Sequence, residues 1–351
     1  MSAWMLHGIE LPFGRDTRSW WIDESGATHD SPLAEAQALP GRFVLAGLVD
    51  AHAHPTVAAG SEGPMVLDAG TTAATLADWA RAGITAVRDV GSPGGMTLEL
   101  SIGPSLPVMQ IAGRFLAPPG RYIPDLLREP VEETDLVACA LAEVRRGAVW
   151  VKVIADFPDL NAGTEATPTY SIEAITRLTT AVHEAGARVA AHSTVSTVGE
   201  LVAAGVDSIE HGAGLDDAAV RSMARRGTAW TPTLGAMIAM SHAHEMPPDR
   251  LQRLNETRER ITELLPLAAQ LGVPVLAGTD IMGSIPGEVA LLAQYGLDPA
   301  QALAAASVWP RQFLRLDGAS PDIVTYHHDP RDDPDQLATP AAVVMRGVRV
   351  R

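Results

Sequence analysis

The sequence predicts an α/β protein: a (β/α)8 TIM barrel with a small β-sandwich domain built from both chain termini. Three observations predict it. Short apolar runs of strand length alternate with helix-like stretches over about 250 residues, the pattern of strands buried on both faces. A recurring grammar of helix end, glycine and new strand appears in "RAGITAV", "EAGARV", "AAGVDSI" and "QLGVPVL". The two ends break this alternation. Residues 1–45 are rich in Trp, Pro and Gly, and residues 319–351 contain the strand-like "DIVTYHH" and "AAVVMRGVRVR" around an acidic, Pro-rich turn. The expected division is therefore 1–45 plus 319–351 for the small domain and 46–318 for the barrel.

Taken in order, the strand candidates are "RFVLAGLVDAHAH", "GITAVRDVG", "LPVMQIAG", "AVWVKVIAD", "ARVAAHS", "VDSIEHG", "TAWTPTL" and "VPVLAGTD". Helix candidates between them are residues 71–82, 132–146, 171–185, 197–204, 216–226 and 249–271. Ser171, with Ala174 and Ile175 behind it, reads as a helix start, and Gly186 as a stop.

Composition excludes several classes. A net charge of −16 argues against nucleic acid, whose phosphates attract basic patches. No run approaches the ~18 apolar residues a membrane helix needs. The opening "MSAWMLHGIELPFGRD" has no apolar signal core. The single cysteine, Cys139, excludes an internal disulfide and suits a reducing cytoplasm. The expected partner is a small-molecule substrate, with a homo-oligomer left open.

Chemistry concentrates where a barrel of this kind places its site, at the C-terminal ends of the strands. The first strand ends in His52 and His54, which share one face because residues two apart in a strand point the same way. The fourth strand carries Lys152. The fifth ends in His192, the sixth in His211 and the eighth in Asp280. Imidazole and carboxylate donors suit zinc-like divalent ions. A lysine among them is out of place unless its chemistry changes. Carbamylation by CO2 would turn it into a carboxylate that can span two ions. Alone, His-x-His is weak evidence and Lys152 could be a rim lysine; together and in order, the set is specific.

The segments "GLVDAHAHP", "VWVKVIAD", "VAAHS", "AGVDSIEHG" and "VLAGTD" resemble the amidohydrolase superfamily in its binuclear form, over about residues 40–320. "SIEHG", "TPTL" and "ALAAASVWPRQFLRLD" resemble its prolidase and imidazolonepropionase branch. The resemblance implies two divalent ions, zinc the expected species. His52, His54 and Asp280 would hold the first, His192 and His211 the second, and carbamylated Lys152 would span both. It implies hydrolysis of an amide, peptide or related C–N bond by a metal-bridged hydroxide, with Asp280 moving the proton to the leaving group. Esters and lactones are also cleaved by such centres.

Substrate-facing candidates are Arg114, Arg121 and Tyr122 after the third strand, and His242 and His244 after the seventh. Met237, Met240 and Met246 accompany the latter pair, whereas His327 and His328 read as a solvated turn. The pocket is expected between the loops "PTVAAGSEGP", "RFLAPPGRYIP", "FPDLNAGTEATP", "GAMIAMSHAHEMPP" and "IMGSIPGE". Two alternatives are a mononuclear deaminase or ring-opening hydrolase of the same superfamily, against which Lys152 argues, and an inactive binding protein, against which the intact ligand set argues.

Overall fold

The structure, a computed structural model, describes residues 3–61, 63–242, 248–316 and 322–351. Its centre is parallel. One sheet orders Val108–Ile111, Ile84–Asp89 and Leu48–Ala53, and a second orders Phe115–Leu116, Trp150–Ile154, Arg188–Ser193, Ser208–His211 and Ala229–Thr231. Every pairing within them is parallel. Isolated parallel bridges join Ser92 to Arg114, Trp230 to Val275 and Ala53 to Asp280.

The run "VPVLAGTD" therefore lies between two edge strands, Ala229–Thr231 of one sheet and Leu48–Ala53 of the other. The Leu276 N–H donates to the Trp230 carbonyl, and the Ala51 N–H to the Ala277 carbonyl. It forms bridges rather than a continuous ladder. Gly278 passes so close to His52 and Thr231 that a Cβ there would overlap both.

The predicted strand "RFVLAGLVDAHAH" divides in two. Phe43–Ala46 leaves for a different sheet, and Leu48–Ala53 stays in the centre. The division falls at Gly47, where any Cβ would collide with the Thr85 side chain. The departing half joins both chain ends in one mixed sheet. Its order is Val348–Arg349, Ala342–Met345, Ile323–Tyr326, Phe43–Ala46, Trp4–Glu10, Thr17–Ile22 and Thr28–His29, with Gln37–Ala38 on Trp4–Glu10. Trp4, Leu6, Trp20, Val44, Ile323 and Val344 form its own core. The expected boundary near 318 falls outside the described residues.

Helices cover the central sheets much as the pattern predicts: Ala69–Arg81, Leu136–Arg145, Ile172–Glu184, Val198–Ala203, Asp217–Arg226 and Pro248–Gln270. Ser171 accepts a bond from the Ala174 N–H, as a cap does. Two loop expectations are corrected, and the first is "GAMIAMSHAHEMPP", whose residues 235–242 belong to the helix Leu234–His242. "IMGSIPGE" contains the start of a helix, Ile285–Gln294, capped by Ser284 accepting from the Gly287 N–H. Its proline and glycine look loop-forming in sequence, but Pro286 stands in the first turn, where a missing N–H costs nothing.

Candidate metal centre

His52 and His54 end the first central strand, both buried, with ring centroids 5.3 Å apart. His211 lies 5.0 Å from His52 and 4.5 Å from His192 in the same measure, so four imidazoles from three strands form one cluster. Asp280 arrives on the segment bridged to Ala53, its Oδ1 3.5 Å from His54 Nε2. One donor atom each of His52, His211 and Asp280 lies within 4.8 Å of the others. His211 and Asp280 both have positive φ, 68° and 55°. The chain turns sharply at these two positions, so each side chain is carried over the rim of the sheet.

Three imidazoles are held by the same nitrogen. His54 Nδ1 is 2.7 Å from the Gly91 carbonyl, which can only accept, so Nδ1 carries the proton. His52 Nδ1 is 2.6 Å from a Glu210 carboxylate oxygen. His211 Nδ1 is 2.7 Å from Thr233 Oγ1, and that hydroxyl donates onward to the Pro232 carbonyl at 2.8 Å. In each case Nε2 keeps its lone pair. Burial pushes all four imidazoles below their ordinary pKa, His192 to about 3, so they are neutral near pH 7.

Lys152 is buried beside them, and its Nζ finds no hydrogen-bond partner among the described residues. Burial lowers its pKa to about 8. An unpartnered amine, imidazoles oriented on Nδ1 and a carboxylate make a donor set that fits zinc-type ions.

Several supporting residues were not singled out in the sequence. Glu210 accepts from His52, from Arg88 Nη2 at 2.9 Å and from Ser208 Oγ at 2.6 Å. Arg88 also donates to the Ala51 carbonyl and to Thr231. Asp50 accepts from the Thr279 hydroxyl and N–H and from the His52 N–H, tying the first strand to the residue before Asp280. The available signal was a charge inside an apolar run, as in "ITAVRDV" and "VDSIEHG". Which charge meets which is not a sequence property.

The substrate-facing candidates separate. Tyr122 is buried among Phe115, Phe157 and His192, with ring centroids 5.0, 5.2 and 6.3 Å away, and forms an aromatic flank of the histidine cluster. Arg121 donates to the Phe157, Thr167 and Pro168 carbonyls and to Thr167 Oγ1. Arg114 pairs with Glu129 and Glu143. Both guanidiniums are thus engaged by protein acceptors and brace loops. His242 is the last residue of the helix Leu234–His242; its side chain, His244 and Met246 lie outside the described residues.

The model of the amidohydrolase family matches residues 43–320. Uncharacterised proteins of Mycobacterium tuberculosis and Mycobacterium bovis are each 35% identical to the chain over 97% of its length and 94% of their own. Among solved structures, a prolidase complexed with N-methylphosphonate-L-proline superposes with a TM-score of 0.81 at 23% identity, covering 99% of both chains. A Xaa-Pro dipeptidase with methionine in its active site gives 0.81 at 20% identity, again over 99% of both. The ochratoxinase of A. niger gives 0.79 at 15% identity, over 99% of this chain and 95% of that one. With a family model spanning most of its length and full-length relatives at this identity, the chain belongs to the amidohydrolase family.

Proposed function

We propose that the protein is a metal-dependent hydrolase that cleaves an amide, peptide or related C–N bond in a small molecule. Two divalent ions, zinc the expected species, would be held by His52, His54, His192, His211, Asp280 and a carbamylated Lys152. The observation that carries this reading is the shared orientation of His52, His54 and His211, each fixed at Nδ1 with Nε2 left as a donor. Ions bound there would acidify a water molecule and polarise the scissile carbonyl.

The chain's own residues account for the rest. Asp280, at the edge of the histidine cluster, can take the proton of the attacking water and pass it to the leaving nitrogen. Glu210 and Arg88 hold His52 in register. Phe115, Tyr122 and Phe157 keep water from one side and offer an apolar surface to the substrate. At Lys152, the neutral amine would attack CO2, forming the N–C bond of the carbamate and releasing one proton. We read the two parallel sheets and their bridges as one closed (β/α)8 ring, with residues 46–318 as the catalytic unit and the terminal sheet as its flank. The prolidase folds it resembles favour a peptide-like amide. A cytoplasmic protein is expected.

A second reading, a mononuclear deaminase or ring-opening hydrolase, is favoured by one observation: among the described residues, the close donor group comprises three side chains, His52, His211 and Asp280. Elemental analysis of zinc-loaded protein separates the two readings, with two ions per chain expected and one supporting the alternative. Hydrolysis of dipeptide, N-acyl amino acid and lactone panels should then depend on restored zinc. Full activity in metal-stripped protein would overturn both readings.

A further inference from the structure

We propose that Glu288 is a positioning residue for His211: it anchors the turn that aims the Thr233 hydroxyl at the imidazole and so selects the tautomer that leaves Nε2 available. The consequence for zinc rests on His211 being a ligand, as proposed above. The tautomer itself is a property of the metal-free protein.

Glu288 lies in the helix Ile285–Gln294 and is fully buried. The Leu234 N–H donates to its Oε1 at 2.9 Å and the Gly235 N–H to its Oε2 at 2.8 Å. These are the first two amides of the helix Leu234–His242, which have no partner within their own helix. The preceding residue, Thr233, has φ +48°. A β-branched residue keeps that left-handed conformation only where its surroundings hold it. From that position its hydroxyl donates to the Pro232 carbonyl and accepts from His211 Nδ1 at 2.7 Å.

An ordinary cap does not require this arrangement. Asp216 and Ser171 cap their own helices, accepting from the amides of Ala219 and Ala174. Here the residue before the helix is committed to His211, and the cap comes from the unit that follows Asp280. Glu288 thus connects the loop behind His211 to the segment carrying Asp280. Asp280 and Asp50 are charged groups whose fields reach it.

The test uses metal-stripped, full-length protein labelled with 15N-histidine. Nitrogen shifts report the tautomer of each ring at mildly alkaline pH. Wild type should show His52, His54 and His211 as single Nδ1–H tautomers. Thr233→Val replaces the hydroxyl with a methyl group of similar size, and Glu288→Gln replaces one accepting oxygen with a donor. Both should move His211 to a tautomer mixture and leave His52 and His54 unchanged, while Thr233→Ser keeps the wild-type signature. Zinc chloride titration should then show one ion bound about 10–100-fold more weakly in both. A changed tautomer with unchanged zinc affinity would support the positioning role and refute His211 as a ligand. A wild-type His211 signal in Glu288→Gln would overturn the proposal. Should that variant not fold, Glu288→Asp, whose shorter side chain cannot span both amides, replaces it under the same criterion.

Discussion

His52 Nδ1 lies 2.6 Å from Glu210 Oε2, with both side chains fully buried and Arg88 Nη2 donating to both oxygens of the carboxylate, at 2.9 and 3.1 Å. Three strands contribute one residue each to this chain of contacts. The carboxylate is paired with Arg88 and accepts from Ser208, so it orients the imidazole without being an isolated buried charge.

Replacing Glu210 by Gln should therefore be costly twice over. Arg88 would lose its buried counter-ion, and stability should fall by about 3–5 kcal/mol. His52 would lose its orienting acceptor, and zinc affinity should fall about 10–100-fold. Urea denaturation and competition with a chromophoric chelator measure the two effects. A variant with wild-type values in both would refute this role.

Lys152→Met should show the opposite balance. The amine is buried with no hydrogen-bond partner among the described residues, so removing it should stabilise metal-free protein by about 1–3 kcal/mol. The same change should abolish hydrolysis and reduce the bound zinc. Loss of stability in the metal-free state would mean that Nζ has a protein partner.

Asp280→Asn separates ligand from proton carrier. Asp280 has φ +55°, a conformation that Asn accepts readily, so the backbone should be kept. With both ions retained, kcat should fall by roughly 10²–10⁴-fold, because the amide cannot take the proton. One limb of the kcat pH profile should also disappear. Near-normal kcat with two ions bound would place the base elsewhere.

Arg121→Ala should loosen the hairpin of Asp156–Pro158 and Ala166–Pro168, whose carbonyls the guanidinium binds. Limited proteolysis should cleave residues 156–168 faster, with stability lower by about 1 kcal/mol. An unchanged cleavage pattern combined with a raised KM would instead return Arg121 to the substrate pocket.

Stability of the metal-free protein should pass over a plateau in pH. Burial holds His52, His54, His192 and His211 below 6.5, while it pushes Asp50 and Asp89 up to about 7 and Glu288 to about 8. A depressed imidazole contributes stability above its unfolded pKa that is lost as pH falls towards the folded value. A raised carboxyl contributes stability below its unfolded pKa that is lost as pH rises through the folded value. Between about pH 4 and 6.5 the four imidazoles and three carboxyls oppose each other; outside that window one set acts alone. Calorimetry should show a nearly constant Tm across the window, a fall below it and a fall again towards pH 8. A Tm rising steadily from pH 4 to 8 would contradict these assignments.

The pattern of residues by itself marked most strands and helices in the centre of the chain, because apolar periodicity and glycine stops are local signals. It also singled out His52, His54, Lys152, His192, His211 and Asp280, since each polar residue interrupts or closes an apolar run. Tertiary structure alone decided the rest. The break at Gly47 depends on Thr85, a residue far along the chain. Arg121 and Tyr122 are neighbours in sequence, yet one braces a hairpin and the other flanks His192. Which nitrogen of each imidazole carries the proton depends on Gly91, Glu210 and Thr233. These are acceptors from other strands and loops, and only folding brings them within hydrogen-bond range.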